Sequence, residues 1–300
     1  MSSDQDFERT ARRDRKETLA LYSLRAVRSL TVVCICLLVA TPHAQEPLAD
    51  AARRKTFDQL LDLYVRNGDV YYRALKADRS KLDGYINLIA TASVDKRPRE
   101  EQLAFWLNAY NALVLRTVID HYPIQGRSPE YPPKSIRQIP GAFERVQHRA
   151  AGRALTLDQI EKEVLPEFHD PRVYFALGRG AVGSGRLRSE AFVAARIEEQ
   201  LSDVAAECVS RNQCVQIDSA SSKVGASAIF SWRDPEFSAA YADKAPAAVA
   251  NRSPIERAII AFVYPRLLNA EKALIATNTF QVVYPPFDWT LNDLTGRGGR

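Results

Sequence analysis

The 300-residue chain holds four cysteines, four histidines and one methionine, so it has few side chains for metal binding, thiol chemistry or general-base catalysis. Cys34 and Cys36 fall in the N-terminal segment, which leaves Cys208 and Cys214 for the remainder, and these are not in the C-x-x-C spacing of redox catalysts. His43 lies in the same segment. His121, His148 and His169 are too scattered for H-E-x-x-H or any other metal spacing, so no metal site is expected. An excess of charge is also lacking. Lys plus Arg number 41 against 36 Asp plus Glu, a formal net charge of +5, with no basic tail or aromatic-studded basic face; nucleic acid is not an expected partner. The chain has only one uncharged apolar run of note, Ser29 to Thr41. It is shorter than the roughly 20 residues of an ordinary spanning helix.

That run follows a polar, Arg-rich lead and precedes Pro42, His43 and Ala44, the layout of an export signal. Residues 1–44 are therefore expected to be a signal peptide or an uncleaved N-terminal anchor, and residues 45–300 a single domain. The length of the lead fits a start codon assigned too early or retention as an anchor. The expected location is periplasmic or secreted, the alternative being membrane-anchored and facing the periplasm, with no other membrane span. In an exported chain Cys208 and Cys214, within CVSRNQC, would form a disulfide pinning a helix exit to the next strand.

The apolar pattern predicts helices over Leu48–Asn67 and Ser80–Ala92. A longer one opens at Pro98 and runs to about Asp120, with Pro123 just beyond. This last helix is apolar on more than one face, as in a central element covered on several sides. Asn108 and Asn111, three apart, share one side of it. Either they face solvent and cap neighbouring backbone, or they are buried and must bond a loop or a ligand. A loop follows from Pro123 to Arg153. Thr156 and Gln159 stand in capping-box spacing, Arg172 to Leu177 reads as extended, and further helices are expected from Ser189 to about Val209 and near Pro254 and Asn269. The strand candidates are few and short. The fold class is α+β: a mostly helical domain with a small β-sheet.

Between the extended run and the next helix lies LGRGAVGSGRLR, a literal G-x-G-x-x-G at Gly178, Gly180 and Gly183. A dinucleotide fingerprint requires the helix to begin inside the motif and an acid about 20 residues later. Here the helix starts near Ser189, and Asp218, the only acid ending a strand candidate, is far too distant. Gly185 stands where a P-loop has its lysine. No cofactor is expected. Two other chemistries are open to the loop: anion binding by Arg172, Arg179, Arg186 and Arg188, and nucleophilic attack by Ser184 if a base such as His169 reaches it.

Five blocks carry a resemblance: EEQLAFWLNAYNALVLRTVIDHYP, LTLDQIEKEVL, DPRVYFAL, AIFSWRDPEF and YPPFDWTLND. In this order they resemble the DUF547 family, a domain of unknown function common in exported bacterial proteins, over roughly Tyr71 to Asp293. The family typically carries a histidine, a cysteine and a Ser-Cys-Pro-Pro turn between the DPR block and the next helix. The resemblance places that histidine at Tyr174, the first cysteine at Arg179, the second at Ser184, and the two prolines at Gly185 and Arg186. Asn108, Asn111, Asp288 and Asn292 keep the family residue types. A Cys–His pair can hold a thiolate at neutral pH; Tyr174 and Arg179 cannot.

The chain is accordingly expected to be a divergent member without the family's Cys/His centre, a pseudoenzyme: a non-catalytic binding domain for a small anion or a protein partner. Asn108, Asn111, Tyr174, Arg179, Ser184, Asp288 and Asn292 are its candidate ligand-binding residues. The alternative is a hydrolase or transferase using Ser184, with His169, or polar groups around the glycine-rich loop. The aromatics Phe230, Trp232, Phe237, Phe287 and Trp289 either line a recognition groove or anchor irregular chain onto the core.

Overall fold

A computed structural model describes residues 48–297; the expected signal or anchor over residues 1–44 lies outside the described residues. Helix α1 (Leu48–Tyr64) stops short of Asn67. Asn67 and Gly68, with φ of 53° and 88°, instead turn the chain from β1 (Val65–Arg66) into antiparallel β2 (Asp69–Val70). Asn-Gly suits a turn with two left-handed residues, and that local preference overrides the apolar pattern that predicts helix through Asn67.

Helices α2 (Tyr72–Ala77) and α3 (Ser80–Ala90) follow, and both pack on α4 (Arg99–His121). Pro98 caps α4, and Glu100 and Glu101 occupy its first turn, where negative charge suits the helix dipole. Every residue from Leu103 to Leu115 is buried, so α4 is the central helix its all-round apolar character predicts. The stretch after Pro123 is less irregular than expected. It closes with a hairpin of β3 (His148–Ala150) and β4 (Arg153–Leu155).

The Thr156–Gln159 capping box is present in both directions and starts α5 (Leu157–Gln159), which continues through a wider turn (Ile160–Val164) and a tight one (Leu165–Phe168). The run predicted as extended from Arg172 is a 3₁₀ turn, Pro171–Phe175. Asp170 caps it by accepting from the Arg172 amide, and Pro171 presets the first helical φ, so the cap outweighs the β-forming Val-Tyr-Phe.

The helix expected from Ser189 starts later, as α6 (Ile197–Val209) after a 3₁₀ turn at Ala194–Arg196. Side chains take the backbone groups that a helix would need. The amides of Ala191, Phe192 and Val193 donate to Asp58, Asn108 and Gln200, and the Ala191 and Phe192 carbonyls accept from Gln200 and Asn108.

A three-stranded sheet follows, with β6 (Lys223–Ala226) antiparallel to β5 (Val215–Asp218) and parallel to β7 (Gln281–Val283). Between β6 and β7 come α7 (Ala228–Trp232), α8 (Asp234–Tyr241), α9 (Pro254–Val263) and α10 (Asn269–Thr277). The result is a mostly helical α+β fold. Its strands form three small sheets among the described residues rather than one.

Candidate functional site

The two asparagines of α4 are buried, and both act on the chain around the glycine-rich loop. Asn108 makes a reciprocal pair with Phe192, donating to its carbonyl at 2.9 Å and accepting from its amide at 2.8 Å. Asn111 donates to the Ala176 carbonyl at 3.1 Å and accepts from the Gly178 amide at 2.8 Å. The carboxamides thus serve as peptide-like partners for backbone that belongs to no helix or sheet. Their polar atoms are directed at the fold, not at a ligand.

The glycines have steric reasons to be where they are. A Cβ at Gly185 would lie 1.6 Å from the Phe175 carbonyl oxygen, and one at Gly183 would lie 2.8 Å from the Asp288 amide nitrogen. The loop is pressed between the 3₁₀ turn and the C-terminal tail. The Gly183 amide donates to the Asp288 carbonyl and the Val182 amide to the Thr290 carbonyl, both at 2.9 Å. Nearby, Asn292 accepts from the Tyr72 hydroxyl and donates to the Gly68 carbonyl, tying the tail to the first hairpin. Asp288 is exposed and its carboxylate caps the Thr290 amide.

Where the resemblance places the first family cysteine, Arg179 is 2% exposed. Its Nη2 and Nε donate to the two carboxylate oxygens of Glu161 at 2.7 and 3.1 Å, and its Nη1 donates to the Tyr174 carbonyl at 3.0 Å. Arg233 donates to the same carboxylate at 3.0 Å and lies 4.6 Å from the centroid of the Tyr174 ring. Tyr110 completes the set by donating to Glu161 at 3.1 Å, while the Tyr174 hydroxyl donates to Glu236 at 3.1 Å. Burial alone would raise the Glu161 pKa; the charges and hydrogen bonds of Arg179 and then Arg233 outweigh it and hold the group down at about 2. Burial pushes the Tyr174 hydroxyl well above its ordinary range. The cluster is a bidentate ion pair with a second guanidinium, closed off from solvent.

Glu161 and Arg233 are absent from the sequence-predicted site, although the sequence carries a signal for the first. Glu161 falls four residues after Leu157 and four before Leu165, an acid set within an apolar i, i+4 stripe.

The other loop arginines also find partners within the fold. Arg172 grips Asp170 and Glu198 in paired contacts of 2.7 to 3.2 Å, Arg188 meets Glu190 at 2.6 Å, and Arg186 meets the Asn67 side chain at 2.9 Å. Arg186 and Arg188 do converge, but on the Glu207 carboxylate at 3.8 Å each, so the point they share is already occupied by an anionic side chain. A basic cleft between α1 and α4, lined by Arg53, Arg54 and Arg97, is similarly matched: Arg53 lies over Phe105 and Arg97 faces Glu101 at 3.9 Å.

Ser184 is 4% exposed, and its Oγ is buried without a hydrogen-bond partner. His169 sits exposed at the left-handed end of the 165–168 turn, and the carboxylate of its neighbour Asp170 is taken by Arg172. His121 bonds the Thr117 carbonyl. His148 lies 3.5 Å from the Thr117 hydroxyl, and burial lowers its pKa to about 4. No described histidine bonds Ser184. Among the described residues no group of three or more His, Cys, Asp or Glu could hold a metal ion, and no helix is long and apolar enough to cross a membrane.

The Cys208–Cys214 disulfide is present and joins the end of α6 to the start of β5, with Cα atoms 5.2 Å apart. Cys214 also helps line an open cleft between Gly183, the turn at Asn212 and Gln213, the end of β6 and the tail segment Pro285–Asp288. At its rim Trp232, Phe287 and Trp289 pack on one another. Trp289 continues inward against Phe143, so these rings anchor the tail while Trp232 remains 43% exposed.

Fold and site together define a mostly helical α+β domain whose glycine-rich loop is clamped to a buried central helix and capped by its own tail. The family model described as a protein of unknown function, DUF547, matches residues 94–209, from just before α4 to the end of α6. The DUF547 resemblance is shown over this segment, which contains Glu161, Arg179 and Ser184; the range Tyr71 to Asp293 read from the sequence extends past it on both sides. No curated protein matches the chain, and no solved structure does.

Proposed function

We propose that the chain is an exported, non-catalytic binding domain acting in the periplasm or outside the cell, on a small ligand or a protein partner. One observation carries this reading: the position aligned with the family cysteine holds a guanidinium whose charge is consumed by Glu161. A structural ion pair thus stands where the resemblance implies a cysteine. The recess beside Gly183 opens to solvent and is walled mainly by backbone, small side chains and the tail prolines. Its only ionisable wall group is Asp288, and no lysine or arginine lines it. The ligand is therefore neutral or cationic rather than acidic, which revises the small anion expected from the arginine count.

The second reading, a hydrolase or transferase, rests on the buried Ser184 hydroxyl beside a small cavity. It needs a base within about 3 Å; Glu207 lines the same cavity, but no side chain bonds the Ser184 hydroxyl. Assay of the full chain against chromogenic esters and peptides, alongside Ser184→Ala, separates the two readings. The binding reading expects no turnover attributable to Ser184. Hydrolysis abolished by Ser184→Ala would overturn it.

A further inference from the structure

We infer that the cleft and its aromatic rim form a platform for a neutral oligosaccharide; this rests on the binding-domain reading above. Hexose rings present C–H bonds on one face and hydroxyls around the edge. They are recognised by a flat aromatic face beside amide and carboxylate groups, with no need of a countercharge.

The rim supplies the face. Trp232 is 43% exposed on α7, the helix that lines the cleft at Ala228 one turn earlier, and its ring packs at a tilt 4.8 Å from Phe287, itself a cleft residue. The wall supplies the edge partners. Asn212 and Gln213 are exposed and their side chains make no hydrogen bond within the described fold, while Asp288 presents a carboxylate.

Two competing ligand types fit less well. An anionic ligand meets no cation in the wall. A proline-rich peptide needs slots between aromatic rings, and a ring sandwiched between two others requires them about 7–8 Å apart, twice the van der Waals separation. Here the centroids lie 4.6, 4.8 and 6.1 Å apart, so the rings fill each other's gaps. Arg137, 4.6 Å from the Trp289 ring, covers that indole as well. What remains open is the exposed part of the Trp232 ring, 43% accessible, a contact surface without a slot.

Two of the chain's three tryptophans, Trp232 and Trp289, lie in this array, and the third, Trp106, is buried in α4, so intrinsic fluorescence reports on the site. The test titrates the full chain with N-acetylglucosamine tetramer and with cellotetraose, and in parallel with a proline-rich decapeptide. A saturable change in tryptophan emission with either glycan is expected. Trp232→Ala should weaken binding about tenfold, whereas Leu268→Ala, an exposed apolar residue on another surface, should leave it unchanged. Silence with both glycans, or glycan binding indifferent to Trp232→Ala, overturns the proposal. Should the decapeptide saturate while the glycans do not, the oligosaccharide assignment falls and the binding-domain reading stands. That reading fails separately, through Ser184-dependent turnover.

Discussion

The two ends of the glycine-rich loop meet different surroundings. At Arg179 the chain turns inward, and one carboxylate, two guanidinium groups, the Tyr110 hydroxyl and the Tyr174 carbonyl bond one another in the interior, with Arg233 Nε left unpartnered. From Gly183 onward the same loop lies under the C-terminal tail and forms one wall of an open cleft. The first region lies inside the DUF547 match except for Arg233, and the second is built largely from residues beyond it. The buried ion pair is spent on the fold, and the surface open to solvent lies beside it, in the cleft under the tail.

The contrast can be broken most forcefully at the buried end. Glu161→Ala strands Arg179 without a carboxylate and leaves Arg233 only Glu236, at 3.6 Å, and a loss of about 3–5 kcal/mol in urea-unfolding free energy is expected. A loss under about 1 kcal/mol would mean that the guanidinium groups escape to solvent and that the centre is not sealed. Gly185→Ala comes next. Its new methyl would meet backbone, which cannot rotate away as a side chain can, and a cost of about 1–3 kcal/mol in thermal or urea unfolding is expected.

Acid sharpens the same point through two separable steps. His148, held near 4 in the fold against an ordinary 6.5, is stabilising while neutral, so stability declines as pH falls from 6.5 to about 4. Glu161, held at about 2 against an ordinary 4.5, stabilises fully above 4.5, and its contribution disappears as pH falls toward 2. Unfolding midpoints measured from pH 7 to pH 2.5 should show both declines. His148→Gln should flatten only the upper one, and an unaltered upper step would refute the assignment. The smallest effect belongs to the open end. Trp232→Ala removes a large ring from a surface stack and should cost about 1 kcal/mol or less in unfolding free energy while reducing glycan affinity. A core-like loss of about 3 kcal/mol or more would recast the rim as structure alone.

Much of the frame is legible in the sequence because it depends on local signals. Pro98, the Thr156–Gln159 box and the apolar content of α4 are enough to locate a capped, buried central helix. The burial of Asn108 and Asn111 follows as one of two alternatives. Their partners do not, because Phe192 and Ala176 lie 84 and 65 residues away along the chain. The same non-locality explains the late start of α6: Asp58, Asn108 and Gln200 hold residues 191–193 extended by tertiary bonds that no periodicity records. Among the site candidates, Tyr174 and Arg179 do meet, through the Tyr174 carbonyl, but around Glu161 and Arg233 rather than around a ligand. Arg179 reads as a free charge in the sequence because its carboxylate lies in another block of the chain.

The most direct measurement of the central claim is a double-mutant cycle on that ion pair. Glu161→Met, Arg179→Met and the double variant would be unfolded in urea under identical conditions. If the family's reactive position has become a sealed structural centre, each single variant loses about 3 kcal/mol or more and the double variant recovers over half of that loss, because neither buried charge of the pair is left unmatched. Additive losses, or single variants as stable as the wild type, would contradict it and return Arg179 to the groups free to meet a ligand.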